Sequence, residues 1–535
     1  MVRHWENFLF ISASTLVLGL FLYTVQGRLF YPYDLEWMEG GMLVHAQRIQ
    51  QGKGLYVQPS SEFIPFIYPP LYAEVLADVG EFFALDYWLG RGISVLATLA
   101  TCVASIWLLR LEGLSWGLAI VGGALFLEGY EDCGTFYDLT RADAAMLSCV
   151  AWSALFLRLK RYPFSGLLLW MAFLFKHNAA IFGIPFALWL WKTENWKSAL
   201  LFGLWSAIPA LMSVGYLQWS TEGYFLTYLL EVPSHHPMVG DRLLWLSEYE
   251  MWHANGILLS LMWLGYSRHL WKEGAQKSAI ALLLSFLMAA AMTQISEKGY
   301  PPLLQIPGAE RIPFAILLWI IFASAFLRRN WFNQLTMHQQ FWMGCTLTAV
   351  VFSAIMRGHH GGYTNVLMPG IWALSLVCVL WLAQQKWPRW LIAGLICLQF
   401  WWGQWDPSKY IPTNADKLEG DRLVALLEKE AGPIWIPHSP WLAVQAGHQP
   451  YTHLISLWDI DHPEGPLLQY VQDLRKDIQN HHFQTIVSAN TQLRFDVVRF
   501  YQKQQSIRPA GQLFLPKVGW PVRPSYLYKP KKVID

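Results

Sequence analysis

Three carboxylates crowd a short stretch near the start of the chain: Asp34, Glu36 and Glu39, in the run Tyr33-Asp34-Leu35-Glu36-Trp37-Met38-Glu39-Gly40-Gly41. Like charges packed beside apolar segments raise at least one pKa, which suits a general base or a cation ligand. A second constellation, Tyr137-Asp138-Leu139-Thr140-Arg141-Ala142-Asp143, stands at the entrance to another apolar run. Ionisable groups at such an edge are costly unless they are paired or used. Lys176, in Phe175-Lys176-His177-Asn178, separates two short apolar runs and should sit at the tip of a broken hairpin. Further on, Arg357-Gly358-His359-His360-Gly361-Gly362-Tyr363-Thr364-Asn365 offers a guanidinium suited to phosphate and glycines that allow close backbone approach. His359 and His360, with His235 and His236 from another loop, are candidates for a composite metal site, although their ligand set is incomplete. Each group also has an ordinary reading: a solvated acidic loop, a charged helix end, a snorkelling lysine. Glu231, Asp241, Arg242, Glu297, Lys298, Glu310 and Arg311 are weaker candidates singly.

What must position these residues is a membrane. Hydrophobic residues make up 54% of the 535 and charged residues only 14%, against about 25% in soluble domains, which excludes an ordinary cytosolic enzyme, a disordered chain or a disulfide scaffold. With 39 basic and 37 acidic side chains the balance also argues against nucleic acid as a partner. Five of the six cysteines lie within apolar runs and Cys133 lies alone in a polar loop, so no zinc spacing or disulfide pattern emerges.

A spanning helix takes about 20 apolar residues, fewer where its ends are protected. Such runs are expected at about 8 to 27, 91 to 109, 114 to 128, 143 to 158, 164 to 176, 178 to 191, 198 to 216, 254 to 270, 278 to 294, 312 to 327, 338 to 356, 366 to 384 and 388 to 404, some thirteen in all. The first is read as an uncleaved anchor with its N-terminus inside. Alternate threading then puts Arg158/Lys160/Arg161, Lys192/Lys197, Arg268/Lys272/Lys277, Arg328/Arg329 and Lys386/Arg389 in the cytoplasm, as the positive-inside rule expects. All the candidate groups above fall on the opposite face. Phe66 to Ala84, apolar but broken by Pro69, Pro70, Glu74, Asp78 and Glu81, is expected to lie along the membrane surface.

From residue 405 the charge density rises and apolar residues come in short runs. The chain therefore divides into a membrane domain, 1–404, and a small extracytoplasmic α/β domain, 405–535, large enough for its own core. Within it, helices are expected at Asp421 to Glu430, Glu464 to His481 and Phe495 to Gln504, and strands at Pro433 to Pro437 and Thr485 to Ser488. Neither a GxGxxG fingerprint nor a P-loop is present, and Pro437-His438-Ser439-Pro440-Trp441 and Ala446-Gly447-His448 read as loops near the membrane.

An acidic first loop running into Gly40-Gly41, then Gly52-Lys53-Gly54-Leu55-Tyr56, then Tyr68-Pro69-Pro70-Leu71-Tyr72, resembles the membrane glycosyltransferases of the GT-C superfamily. Among them the likeness is to the protein O-mannosyltransferases and the aminoarabinose transferases of lipid A. The resemblance implies a mainly α, polytopic fold of about thirteen spans with a surface helix in its first outer loop. It also implies an outer-face active site that draws a sugar from a polyprenyl-phosphate donor. The family's base is an acid of the first loop, usually in an adjacent Asp-Glu pair. Here the spacing departs from that, so Asp34, Glu36 and Glu39 stand together, with Asp143 next in line. Lys176, Arg357 and Arg141 are implied as partners of the donor phosphate. Tyr68, Tyr72, Asp138, His359, His360 and Tyr363 are implied around the substrates, and a divalent metal ion remains a candidate cofactor.

The function implied is an inverting transfer to a hydroxyl of a glycan, lipid or protein acceptor, in a bacterial inner membrane whose lipids surround the enzyme. The competing class is a transporter or flippase of a lipid-linked or polar solute, using the same charges as a pathway. No internal repeat supports it, and the acids gather at one face rather than at the midplane. A non-catalytic scaffold would require those acids to be dispensable.

Overall fold

The first apolar run forms a helix, α1 (His4–Leu29), with Glu6 in its first turn and Arg28 in its last, charges that complement the helix dipole. A computed structural model of the chain describes residues 4–240, 242, 243, 247–272, 274, 276, 279, 280, 336–489 and 497–531. After α1 come α2 (Glu39–Gln50), α3 (Leu71–Phe82), α4 (Tyr87–Leu111), α5 (Trp116–Glu128), α6 (Asp143–Arg158), α7 (Tyr162–Phe175), α8 (Gly183–Thr193) and α9 (Trp196–Ser220). Helices Gly256–Lys272, Met337–Gly358, Met368–Ala383 and Arg389–Trp402 match later expected spans. Those expected at 278 to 294, apart from Ala279 and Ile280, and at 312 to 327 lie outside the described residues, as do Asp241, Glu297, Lys298, Glu310 and Arg311.

Side-chain caps set several helix starts. Asp86 accepts from the Tyr87 amide, Asn195 from Ser198, and Thr336 with Gln339 closes a reciprocal box at Met337. Among the described residues five helices are long and apolar enough to cross a membrane: Trp5–Leu29, Tyr87–Leu111, Trp196–Ser220, Met337–Gly358 and Thr364–Ala383. This is an integral membrane protein. Other expected spans are shorter helices; α8, with 11 residues, falls short of a ~30 Å hydrocarbon core by itself. The long helices differ in exposure. The apolar window of Thr364–Ala383 is 72% buried while that of α9 is 6% buried, so the first is central to the bundle and the second faces outward. At one end of the bundle Glu112 joins Arg158, His338 (2.9 Å) and the Trp342 indole (3.0 Å).

The stretch anticipated as a surface helix, Phe66 to Ala84, folds as α3 after Pro70, burying Tyr72, Ala73, Leu76 and Ala77 and leaving Phe82 and Phe83 exposed. Beyond residue 405 a helix, Asn414–Leu427, starts at a Thr413/Asp416 capping box. A four-stranded sheet follows in the order β1-β2-β4-β3, from β1 (Ile434–Trp435), β2 (Thr485–Ser488), β3 (Tyr501–Ser506) and β4 (Tyr526–Pro530). β1 and β2 are parallel, and the other pairings are antiparallel. One expectation is overturned here: the helix foreseen at Phe495 to Gln504 is only Val497–Phe500, after which the chain turns into β3. Gln and Lys favour helices locally, but pairing with β4 overrides them on an edge strand whose residues after Tyr501 are exposed.

This C-terminal region is not a free appendage. Tyr33 of the first loop is buried in its apolar core beside Leu423, Leu427 and Phe514, and the Tyr33 hydroxyl donates to Asp421 at 2.7 Å.

Candidate active site

The first-loop acids are separated by what holds them. Arg91, inside the first turns of α4, is fully buried and donates to both Glu39 oxygens, from Nε at 3.0 Å and Nη2 at 2.8 Å. Its remaining donors reach the carbonyls of Arg28, Tyr31 and Tyr33. Glu39 also accepts the amides of Leu35 (2.8 Å) and Thr140 (2.9 Å). Burial would push this carboxyl up, but Arg91 and those amides outweigh it and hold Glu39 below the usual range. Every lone-pair direction is thus used, and Glu39 pins the loop to α4 and to the turn before α6.

Asp34 accepts from the Gly40 amide at 2.8 Å and the Tyr87 hydroxyl at 3.0 Å, with Ser439 of the C-terminal region a further donor. Burial first, then the Glu39 charge, pushes it up to about 8. Glu36 is held more loosely, by the Met38 amide and by Arg141 Nη1, both at 3.3 Å. Burial raises it to about 7, with Arg141 opposing and Glu39 adding to the rise.

Arg141 brings the second constellation to the first. Its Nη2 donates to the Tyr68 hydroxyl at 3.0 Å, and its guanidinium stands 5.6 Å from the Tyr68 ring centre. On the same ring lies Lys176 Nζ, at 5.7 Å. Lys176 pairs with Asp143 at 2.6 Å, and Asn365 donates to the same Asp143 oxygen at 2.8 Å. The break between α7 and α8 that presents Lys176 comes from its extended backbone (φ −151°, ψ 114°) before the 3₁₀ turn His177–Phe182. Glu36, Arg141, Tyr68, Lys176 and Asp143 therefore form one connected cluster, all of it buried but for a half-buried Tyr68. Two cations flank one phenol, and a carboxylate with a near-neutral pKa stands next to them.

Other expected members are elsewhere. Arg357 is clamped by Glu250, Nε to Oε2 and Nη2 to Oε1 at 2.8 Å each, with the Gly362 carbonyl as third partner. It is therefore held by two parallel contacts to one carboxylate and orders the 357–363 loop, where the sequence suggested a phosphate partner. Asp138 pairs with Arg28 at 2.8 Å and accepts from Tyr130, which fastens α1 rather than facing the cluster. Tyr72 donates to the Gly90 carbonyl at 3.1 Å in the packing of α3 on α4. Tyr363 stands over Phe136, with its hydroxyl 3.4 Å from the Gly519 amide. The His359 ring lies 5.2 Å and the His360 ring 6.4 Å from that of His236, while His235 faces His462 at 5.7 Å. Among the described residues no group of three His, Cys, Asp or Glu side chains could hold a metal ion, so the composite histidine site and the acidic cation site are not formed there.

Arg91 and Glu250 escaped the sequence reading. Arg91 carried a signal: an arginine at the head of a long apolar run needs a buried partner. Glu250 carried none, because nothing local ties it to a loop more than 100 residues away.

No family model matches the chain, and no curated protein does. Among solved structures, ArnT from Cupriavidus metallidurans in the apo state is similar at 10% identity with a TM-score of 0.49, over 97% of each chain. The same protein bound to undecaprenyl phosphate gives 10% identity and a TM-score of 0.47, again over 97% of each chain.

Proposed function

We infer that the chain is an integral membrane glycosyltransferase, moving a sugar from a polyprenyl-phosphate donor to an acceptor hydroxyl outside the cytoplasm. The observation that carries this reading is the convergence of Arg141 and Lys176 on Tyr68, beside Glu36, in a chain with membrane-crossing helices. Two fixed cations suit a phosphate at a membrane boundary, and a carboxylate with a pKa near neutrality suits a general base.

In the proposed step Glu36 takes the proton from the acceptor hydroxyl, whose oxygen attacks the anomeric carbon from the face opposite the phosphate. The bond from that carbon to the phosphate oxygen breaks, its electron pair leaves with polyprenyl phosphate, and the configuration inverts. Arg141 and Lys176 stabilise the developing phosphate charge. Asp143 positions Lys176, and Arg357 with Glu250 positions the late loop. Asp34 is second to Glu36 as base, because its oxygen is already engaged by an amide and a hydroxyl. With the short basic loops inside, the C-terminal region lies outside, in what we take to be a bacterial plasma membrane.

Purified protein in lipid nanodiscs, given polyprenyl-phosphate sugars and nucleotide sugars in parallel, tests the reading. Transfer from the lipid donor is expected; transfer from the soluble donor alone overturns it.

A further inference from the structure

Directly beside Glu36, the C-terminal region meets the first loop through aromatic rings. The Trp37 ring centre lies 4.9 Å from His453, 5.3 Å from Trp520, 5.8 Å from Trp458 and 6.5 Å from His438. Trp520 in turn lies 5.2 Å from Trp458 and 5.5 Å from His438. Trp37, His438 and His453 are buried, while Trp458 and Trp520 are only partly covered, so the group presents an indole surface at its outer side.

Three features distinguish this group from simple packing. His438 is 7% exposed, yet its Nδ1 has no hydrogen-bond partner among the described residues, a costly state for a buried polar atom that a ligand hydroxyl would relieve. The group also borders the carboxylates: Gly519, at φ +75°, comes so close to Glu36 that an added Cβ would sit 3.2 Å from Oε1, and Ser439, next to His438, bonds Asp34. Finally, main-chain groups at the core of the cluster are taken. His453 Nε2 bonds the Trp37 carbonyl at 3.0 Å, and the Val518 amide donates to the Leu35 carbonyl at 3.1 Å. An extended peptide is captured chiefly through such main-chain groups, so recognition is left to side-chain faces and one polar anchor. Flat aromatic faces with a sparse polar group match a saccharide ring, which has apolar C–H faces and a hydroxyl rim.

We propose that Trp458 and Trp520, backed by Trp37 and anchored by His438, form an acceptor subsite for a saccharide, so that the hydroxyl receiving the transferred sugar belongs to a glycan or glycolipid headgroup. The subsite rests on the glycosyltransferase reading and supplies the acceptor class that reading leaves open.

The test uses the full-length protein in nanodiscs and saturation-transfer NMR with a panel of disaccharides built from glucose, galactose, mannose, N-acetylglucosamine and rhamnose. A serine/threonine peptide serves as competitor, and binding of polyprenyl phosphate is measured separately on the same samples. At least one disaccharide should show transfer strongest at its C–H face. Trp520→Ala should weaken that binding roughly five- to tenfold, the scale of a lost aromatic contact. Trp520→Phe should restore part of it, and His438→Phe should weaken it while leaving polyprenyl phosphate binding intact. Absence of binding across the panel, indifference to all three substitutions, or displacement by the peptide overturns the subsite. If polyprenyl phosphate binds but no disaccharide does, the subsite alone fails; if disaccharides bind and polyprenyl phosphate does not, the donor reading fails.

Discussion

Two arginine–carboxylate regions sit three residues apart on the first loop and behave oppositely. Around Arg91 and Glu39 every donor and acceptor is matched, by two guanidinium contacts, three carbonyls and two amides. Around Arg141 and Glu36 there is one long contact between the charges, with Tyr68 and Lys176 beside them. Saturation makes a scaffold, because each group is committed and moving any of them exposes the rest. Incomplete pairing leaves charge available for a substrate, which is why the second region, and not the more conspicuous first, carries the proposed chemistry.

The largest expected effect breaks the first region. Arg91→Met strands a buried carboxylate, so unfolding in detergent should show a loss of about 3–5 kcal/mol or no folded protein at all. Wild-type stability in that variant would erase the distinction between the two regions. Next comes Glu36→Gln, which should fold normally while transfer drops by about 10²-fold or more. Glu39→Gln should instead lose stability first, and full turnover in the Glu36 variant moves the base elsewhere, to Asp34 and then Asp143.

A pH series sharpens the comparison further. Glu36 must lose its proton to act, so transfer should rise with pH through about 7. Stability should run the other way. Asp34 and Glu36 carry pKa values of about 8 and about 7 when folded, against ordinary values of 3.8 and 4.5, so the folded state binds more protons between those limits. Their contribution therefore falls as pH climbs through that window. Parallel rise of both curves would mean that the first-loop acids are not the raised groups. The smallest effect belongs to Tyr68→Phe, which removes one hydroxyl from Arg141 and should weaken donor binding by about 1 kcal/mol, read as roughly a fivefold increase in KM for the lipid donor.

Much of this organisation was legible in the chain. Among the described residues the apolar runs coincide with helices, since membrane burial needs long apolar stretches whatever their neighbours. Spacing and residue type flagged Glu36, Arg141, Asp143 and Lys176 separately, and the family resemblance added Tyr68. What linear order could not show was pairing. Arg357 read as a phosphate partner before its pairing with Glu250 was seen, and Asp138 as a substrate contact before its pairing with Arg28. The β3 strand was misread for a related reason: its Lys and Gln residues read locally as helix formers, and only the distant β4 makes them a strand. Long-range partners decide which charges are structural, and no local pattern encodes them.

Tyr33 gives the site a timetable. Its ring lies among Leu423, Leu427 and Phe514, and its hydroxyl bonds a residue 388 positions later. While the ribosome is still making the membrane helices, the loop bearing Glu36 has no mate for that ring and no roof from Gly519. Non-local contacts of this span form last, after the cost of closing a long loop has been met. The proposed site is therefore incomplete through nearly all of the chain's synthesis, and a chain cut short before Phe514 would insert into the membrane with its acidic loop unfinished.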